Sequence, residues 1–419
     1  MRLQLQLLKN PIFHYHNHAF TKLLAYRLQI VLAYQIMAVV VGWHIYELTH
    51  DALSLGLIGL AEVIPYMSSA LFAGYLVDHY SRRLFGVLAA VMLCANAIVL
   101  VLVAAGILNA GTLGWIYASI AFNGIARAFI APTYSTLFAV ILPREDYAKA
   151  SGIGSAIFQT GLVLGPAMGG LLVGYANKTT AYTVATILCV GAACALLSLK
   201  FKQPPSAESA SIFKSIAQGL RFVFSNQIMF GAQALDMFAV LFGGAVALLP
   251  VFISEVYHAG PEALGILRAA PAIGAIITGV YLARHPIGQH AGRWLLGAVA
   301  GFGLCIISFA LNPYFWAGFF LLMLSGVFDG VSVVIRTTIM QLATPDAMRG
   351  RVSAINGIFI GSSNELGAFE SGLAAKLMGL VPSVIFGGLM TLSVVSVTAK
   401  LAPKLRSLNL KDLESVNRR

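Results

Sequence analysis

The sequence predicts an all-α polytopic membrane protein, with twelve transmembrane helices in two six-helix halves. Four observations carry this. Hydrophobic residues make up 58% of the 419 positions and charged residues only 10%, where a soluble domain holds about 25% charged residues. Apolar runs of roughly 20 residues or more, enough to cross a bilayer as helix, recur and fill most of the chain. The short alternating strands of a membrane barrel are missing from the pattern. Finally, the charges fall in small clusters between the apolar runs, as orienting charges do.

In order, the runs place spans at 22–47, 53–77, 84–107, 112–142, 148–175, 180–200, 228–256, 262–284, 292–311, 313–342, 350–379 and 381–402. Of the 27 Lys and Arg residues, 21 then fall on the side that holds both termini. Only Lys178 and Lys376 fall on the other, and four lie inside spans. This asymmetry predicts cytoplasmic termini. It also explains the net charge of +11 without a nucleic-acid partner. The polar first residues lead directly into a long helix, so no cleavable signal peptide is expected. His14, His16 and His18 alternate as metal ligands on an extended strand could, but a solvated N-terminal segment is the favoured reading. Cys94, Cys189, Cys194 and Cys305 all lie in apolar runs without metal or redox spacing, so neither metal nor cofactor is expected.

One long linker interrupts the pattern. Its Pro/Ser-rich start is expected to be extended. Ile212 to Phe224 has helical periodicity with basic residues and reads as an amphipathic surface helix. The expected domains are therefore 1–200, a first six-helix bundle; 201–227, the linker; 228–402, a second bundle; and 403–419, a tail. The halves resemble each other. Setting Pro143 on Pro345 aligns Ser151 with Ser353, Gly165 with Gly367, Gly170 with Gly372 and Gly124 with Gly326. Earlier, Glu47 matches Glu255 and His50 matches His258. Such parallel repeats are a transporter construction.

Charges inside spans are functional candidates, because each is costly there. Asp236 lies two turns into span seven, with Gln233 one turn away. Asp329 and Arg336, seven residues apart in span ten, share a face about 10 Å apart. They are too distant to touch but placed to line one cavity. Arg127 lies in span four, Glu62 in span two and Arg268 in span eight. Span eleven carries Asn364, Glu365 and Glu370; the two acids diverge by about 140°. Arg27, near a span start, is expected to snorkel to the interface. Aromatic residues such as Tyr34, Trp43, Phe158 and Phe238 would complete the cavity walls.

Two further stretches carry a resemblance. In "GYLVDHYSRR", Gly74 precedes Asp78 by four residues, and Arg82 and Arg83 follow. This resembles the loop motif of the major facilitator superfamily, with His79 and Ser81 standing where that family usually has a cation and a glycine. The resemblance implies a cytoplasmic gate latch whose partner is the start of span eleven, at Arg349 and Arg351. In "GIGSAIFQTGLVLGPAMGG", Gly152, Gly161, Gly165, Pro166, Gly169 and Gly170 fit the fifth-helix signature of the superfamily's drug/proton antiporters. Gly154, Gly161 and Gly165 fall within about 40° on a helical wheel. They form a strip on which another helix can lie closely, expected to be a hinge and sliding surface toward span eight of the other half. Arg349–Val352 and Asn364–Gly367 resemble the bacterial enterobactin-exporter branch, which also includes macrolide efflux proteins.

The resemblance implies the two-bundle major facilitator fold and an inner-membrane exporter of a siderophore-like or drug-like molecule. It would work as a monomer by proton antiport, with Glu365 and Asp329 ahead of Asp236 and Glu370 as coupling acids. An importer or facilitator of the same fold is the alternative. A membrane enzyme or receptor lacks a nucleophile–base pair, a phosphate loop or a signalling domain to support it.

Overall fold

The computed structural model describes residues 11–199, 212–345 and 348–410, and they are almost wholly helical. The first half contains α1 (Pro11–Thr49), α2 (Ala52–His79), α3 (Arg82–Ala104), α4 (Thr112–Ile141), α5 (Tyr147–Tyr175) and α6 (Lys178–Leu197). The linker helix α7 (Ile212–Ser225) follows. The second half contains α8 (Gln227–Phe242), α9 (Leu249–Glu255), α10 (Pro261–Arg284), α11 (Ala291–Leu311), α12 (Phe315–Ala343), α13 (Arg349–Met378) and α14 (Leu380–Leu401). The short α15 (Pro403–Arg406) comes last.

Among the described residues, eleven stretches are long and apolar enough to cross a membrane, with α8 and α9 counted together. The chain is a multi-pass membrane protein. The remaining expected span, span eleven at 350–379, is α13. Its 30 residues give about 45 Å of helix, ample for a bilayer, but Asn364, Glu365 and Glu370 make it more polar than the rest.

The structure corrects three details. The seventh span is not one helix: it stops at Gly243, passes through a 3₁₀ turn at Ala245–Leu248 and restarts with Pro250 in the first turn of α9. Two adjacent glycines mark the break, and close packing requires them there: a Cβ at Gly243 would lie 2.5 Å from Phe302 and one at Gly244 2.7 Å from the Gly367 carbonyl. The His14–His18 stretch, read as a solvated N-terminal segment in preference to a metal-binding strand, is helical and lies on α1. The linker helix forms where its periodicity placed it, but its Val223 is buried in the core of the second half.

By internal packing the described chain forms two compact units. One contains residues up to Val40 together with Ile64 to residue 199; the other contains Val41–Val63 and everything from residue 212. The division therefore departs from the expected 1–200, 201–227, 228–402 and 403–419. The Val41–Val63 hairpin packs on α13 because glycine meets glycine there: a Cβ at Gly56 would lie 3.0 Å from the Gly372 Cα. The expected tail begins as α15, held by the fully buried Leu405, whose backbone carbonyl rests on Gly292.

The internal repeat is visible in local structure. His50 and His258, which match in the sequence, both adopt the left-handed region, at φ 45° and 49°, just beyond α1 and α9. Gly165 lies against Gln35 and Leu32 of α1, while its match Gly367 lies against Val240 and Leu241 of α8. In the first unit α3 packs on α4 and α6; in the second α11 packs on α12 and α14.

Candidate functional site

Polar residues gather in the interior of each unit. In the first unit, Arg127 on α4 donates from Nη1 to the Tyr34 hydroxyl of α1 at 2.6 Å. Its guanidinium also lies 5.1 Å from the Tyr34 ring centroid and 5.0 Å from that of Tyr66 on α2. The ring quadrupoles attract the cation, and arginine stays charged wherever it is placed. Three helices thus meet around one fixed positive charge.

In the second unit, Asp236 on α8 and Arg336 on α12 form an ion pair at 2.5 Å, with side chains only 7% and 6% exposed. Arg336 also donates from Nε to Ser332 Oγ at 3.2 Å, one turn earlier on the same helix. Asp329 stands within electrostatic reach of both Asp236 and Arg336. One turn before Asp236, Gln233 donates to Asn356 Oδ1 at 2.7 Å and ties α8 to α13. The spacing of Asp329 and Arg336 suggested a shared cavity wall without contact. The structure supplies the third member, because Arg336 reaches across to Asp236.

The chemistry of this triad follows from its charge. Two carboxylates and one guanidinium sum to −1, and burial makes an uncompensated charge expensive. One bound proton brings the group to neutrality.

The remaining candidates are dispersed. Glu62 on α2 is 5% exposed. Arg268 on α10 brings Nη1 within 3.9 Å of where a Cβ at Gly42 would lie. Glu365 and Glu370 on α13 are half-buried. The Glu365 carbonyl lies where α2 comes closest, directly over Gly59. Further along α13, Lys376 pairs with Asp51 at 2.7 Å and anchors the α1–α2 turn. The Lys376 hydrogen bond holds the Asp51 carboxyl below its usual range.

At the loop motif, Ser81 Oγ accepts from the Leu84 amide at 3.4 Å and caps α3. Arg83 donates to the Leu199 carbonyl at 3.0 Å, fastening α3 to the end of α6. Arg82 keeps a buried Nε without a hydrogen-bond partner among the described residues. At Gly74 no described atom lies within 4 Å of where a Cβ would be. The side chains of Asp78, Arg349 and Arg351 lie outside the described residues.

The glycine helix α5 runs unbroken through Pro166. Its strip is in close contact with α1 of its own unit. A Cβ at Gly161 would lie 2.6 Å from Val31 Cγ1, one at Gly165 2.5 Å from Gln35 Cβ, and one at Gly169 3.2 Å from the Ile36 carbonyl. The reason is register: Val31, Gln35 and Val39 recur every four residues on α1 and oppose glycines at the same spacing on α5. Gly170 is buried, while Gly152 is exposed and open.

Sequence reasoning missed Tyr66, Ser332 and Asn356. Ser332 was accessible in principle, one turn before a buried arginine. Tyr66 and Asn356 gain their roles only by packing across helices.

Comparison with known proteins follows the same lines. The sequence profile of the Major Facilitator Superfamily matches residues 26–368. The chain is 25% identical over 394 residues to the enterobactin exporter EntS of Citrobacter koseri, covering 89% of this chain and 91% of that one. It is 25% identical over 392 residues to the enterobactin exporter EntS of Escherichia coli O1:K1 / APEC, covering 90% and 92%. Among solved structures, a D-xylose–proton symporter superposes with a TM-score of 0.70 at 14% identity, covering 93% and 99%. A mutant of the nucleoside transporter NupG gives 0.69 at 14%, covering 91% and 99%. The human organic anion transporter MFSD10 gives 0.67 at 14%, covering 93% and 100%. With its helical repeat, its buried charges and a profile match over most of its length, the chain belongs to the Major Facilitator Superfamily and is a membrane transporter of a small molecule.

Proposed function

We propose that the chain exports a siderophore-like or drug-like small molecule across the bacterial inner membrane in exchange for protons, as a monomer with both termini in the cytoplasm. The observation that carries the coupling is the Asp236–Arg336 pair with Asp329 beside it. One cation serves two acids, so the triad has a place for one proton. In the cycle, that proton enters while the site faces outward and leaves while it faces inward. Its loss returns a carboxylate to the substrate-competent form. Alternating access by rocking of the two halves exposes the site to each side in turn. Glu365, Glu370, Glu62, Arg268 and Arg127 are proposed to line or support the substrate path. Gly74, Asp78, Arg82, Arg83, Arg349 and Arg351 form the cytoplasmic gate. Gly161, Gly165 and Gly169 set the close α1–α5 seam that must move as one body, and Gly152, Pro166 and Gly170 complete the hinge helix around it.

Export is supported by the name of the relatives, enterobactin exporters, at 25% identity over nine-tenths of the chain, and by the antiporter-like glycine helix. The test is transport in proteoliposomes under an imposed pH gradient, with Asp329→Asn, Asp236→Asn and Glu365→Gln. Coupled flux is expected to vanish in at least one of the triad variants. Proton-driven flux kept by every neutral variant would end the carboxylate-coupling reading.

A further inference from the structure

A second cation stands apart from both groups described above. Arg27 on α1 does not snorkel to the interface, as its position near the span start suggested. Its guanidinium carbon lies 3.8 Å from the Tyr134 ring centroid and 5.0 Å from that of Phe158. Those rings come from α4 and α5, so Arg27 is held inside the first unit. The side chains bound a cavity of about 400 Å³ lined by α1, α4 and α5. Gly154 makes room for this arrangement: a Cβ there would lie 3.2 Å from Arg27 Nη1 and closer still to the Tyr134 hydroxyl. That explains the one glycine of the α5 strip that does not oppose α1 backbone.

Three features mark the cavity as a receptor for something not part of the chain. First, among the described residues no carboxylate pairs with Arg27, no group accepts a hydrogen bond from it, and no acid lines the cavity. A guanidinium offers five donors, and a half-buried cation with none of them engaged leaves them available to an anion. Second, the Tyr26 and Tyr134 hydroxyls lack hydrogen-bond partners among the described residues and have no accessible surface, so a ligand engages them only after a side-chain turn. Third, the remaining wall combines aromatic and aliphatic surface, Phe138, Phe158, Ile30 and Val31, with the Ser135 and Ser151 hydroxyls. The cation recognises an anion, the hydroxyls offer hydrogen bonds, and the rings accept a flat apolar body.

We propose that this cavity binds the anionic, aromatic end of a small molecule, an aryl carboxylate or phenolate, separately from the Asp236–Arg336 triad. The rings stacked on the guanidinium leave its N–H edge to bind a planar anion in bidentate fashion, and such an edge-on pair suits arginine better than lysine. An acidic lipid headgroup shares the anionic chemistry. The four aromatic side chains around the cavity, Tyr26, Tyr134, Phe138 and Phe158, favour the aryl body over a phosphate ester.

The experiment is equilibrium binding by saturation-transfer NMR or calorimetry, with the full chain in phosphatidylcholine nanodiscs. The probes are 2,3-dihydroxybenzoate and its uncharged amide. Binding needs no gradient, so its outcome is independent of transport direction and proton coupling. The carboxylate is expected to bind at least ten-fold more tightly than the amide. Arg27→Gln should abolish the preference, Arg27→Lys should keep only part of it, and Tyr134→Phe should weaken binding without removing it. The acid-versus-amide comparison uses the unaltered protein, so it stands even where a variant fails to fold. Equal binding of acid and amide, or an unchanged preference in a folded Arg27→Gln protein, would overturn the proposal. So would failure of the aryl acid to bind while phosphatidylglycerol occupies the cavity in an Arg27-dependent way, which would give the site to lipid.

Discussion

Substituting Gly165 with alanine tests the tight α1–α5 seam most sharply. The new Cβ would lie 2.5 Å from Gln35 Cβ, where carbon–carbon contacts sit at about 3.5–4.0 Å. The helices must then separate by about 1 Å, because no rotamer of Gln35 moves its Cβ. Overpacking of this kind costs about 1–3 kcal/mol. At roughly 2 °C per kcal/mol for a chain of this size, the apparent melting point should fall by about 2–6 °C. Gly152, on the same helix, is the internal control. It has open space around it, so alanine there meets no clash and adds up to about 1 kcal/mol of helix propensity. Thermal unfolding of both variants in one detergent, followed by fluorescence-detected size exclusion, gives the answer. The two shifts should have opposite signs. If Gly165→Ala melts at or above the parent, the helices are not in backbone-level contact and the seam is ordinary packing. The bulkier Gly165→Leu should in addition stop transport while leaving some folded protein.

Other consequences follow from the same geometry. Arg336→Met leaves two buried acids without a cation and should destabilise by about 3–5 kcal/mol, whereas Asp236→Asn leaves Asp329 to balance Arg336 and should cost less, and the two together should recover part of the Arg336→Met loss in thermal melts. Lys376→Met removes the partner that depresses the Asp51 carboxyl. A depressed folded value means stabilisation that is present above pH of about 4 and lost as pH falls through the lower folded value. With Lys376 55% exposed, the effect should be small, about 0.2–1 kcal/mol. It should be visible in melts at pH 7 and absent near the acid limit. Gly59→Leu should be far more damaging than either, because the Glu365 carbonyl occupies the space a side chain needs; detergent-extracted yield would register it.

Much of this architecture was legible in the residues. Apolar run lengths located the membrane helices, since a bilayer imposes a single requirement on each. The repeat emerged from matched glycines and from His50 and His258, whose shared left-handed backbone reports equivalent chain reversals. The buried charges were legible for the same reason: in an apolar run each stands out. What pairs with what was not legible. Arg336 turns to Asp236, a hundred residues away, because helix packing and not spacing decides it. The seventh span read as one apolar run, and only the close approach of Phe302 and Gly367 shows why glycines stand at its break, Gly243–Gly244. Arg27 was misplaced because position along a span reveals depth but not which way a long side chain turns. Tyr134 and Phe158 draw it inward. The glycine strip was found, but its partner α1 was not, since a smooth surface does not announce what lies on it.

Proton-coupled export, the central claim, is tested most directly in inside-out membrane vesicles. In them the lumen corresponds to the outer side, so an acid lumen should drive a catecholate siderophore such as enterobactin inward against its gradient. The expected result is accumulation that collapses when a protonophore is added and that is lost in Asp329→Asn or Asp236→Asn. Uptake indifferent to the pH gradient, or driven only when the lumen is alkaline, would contradict it.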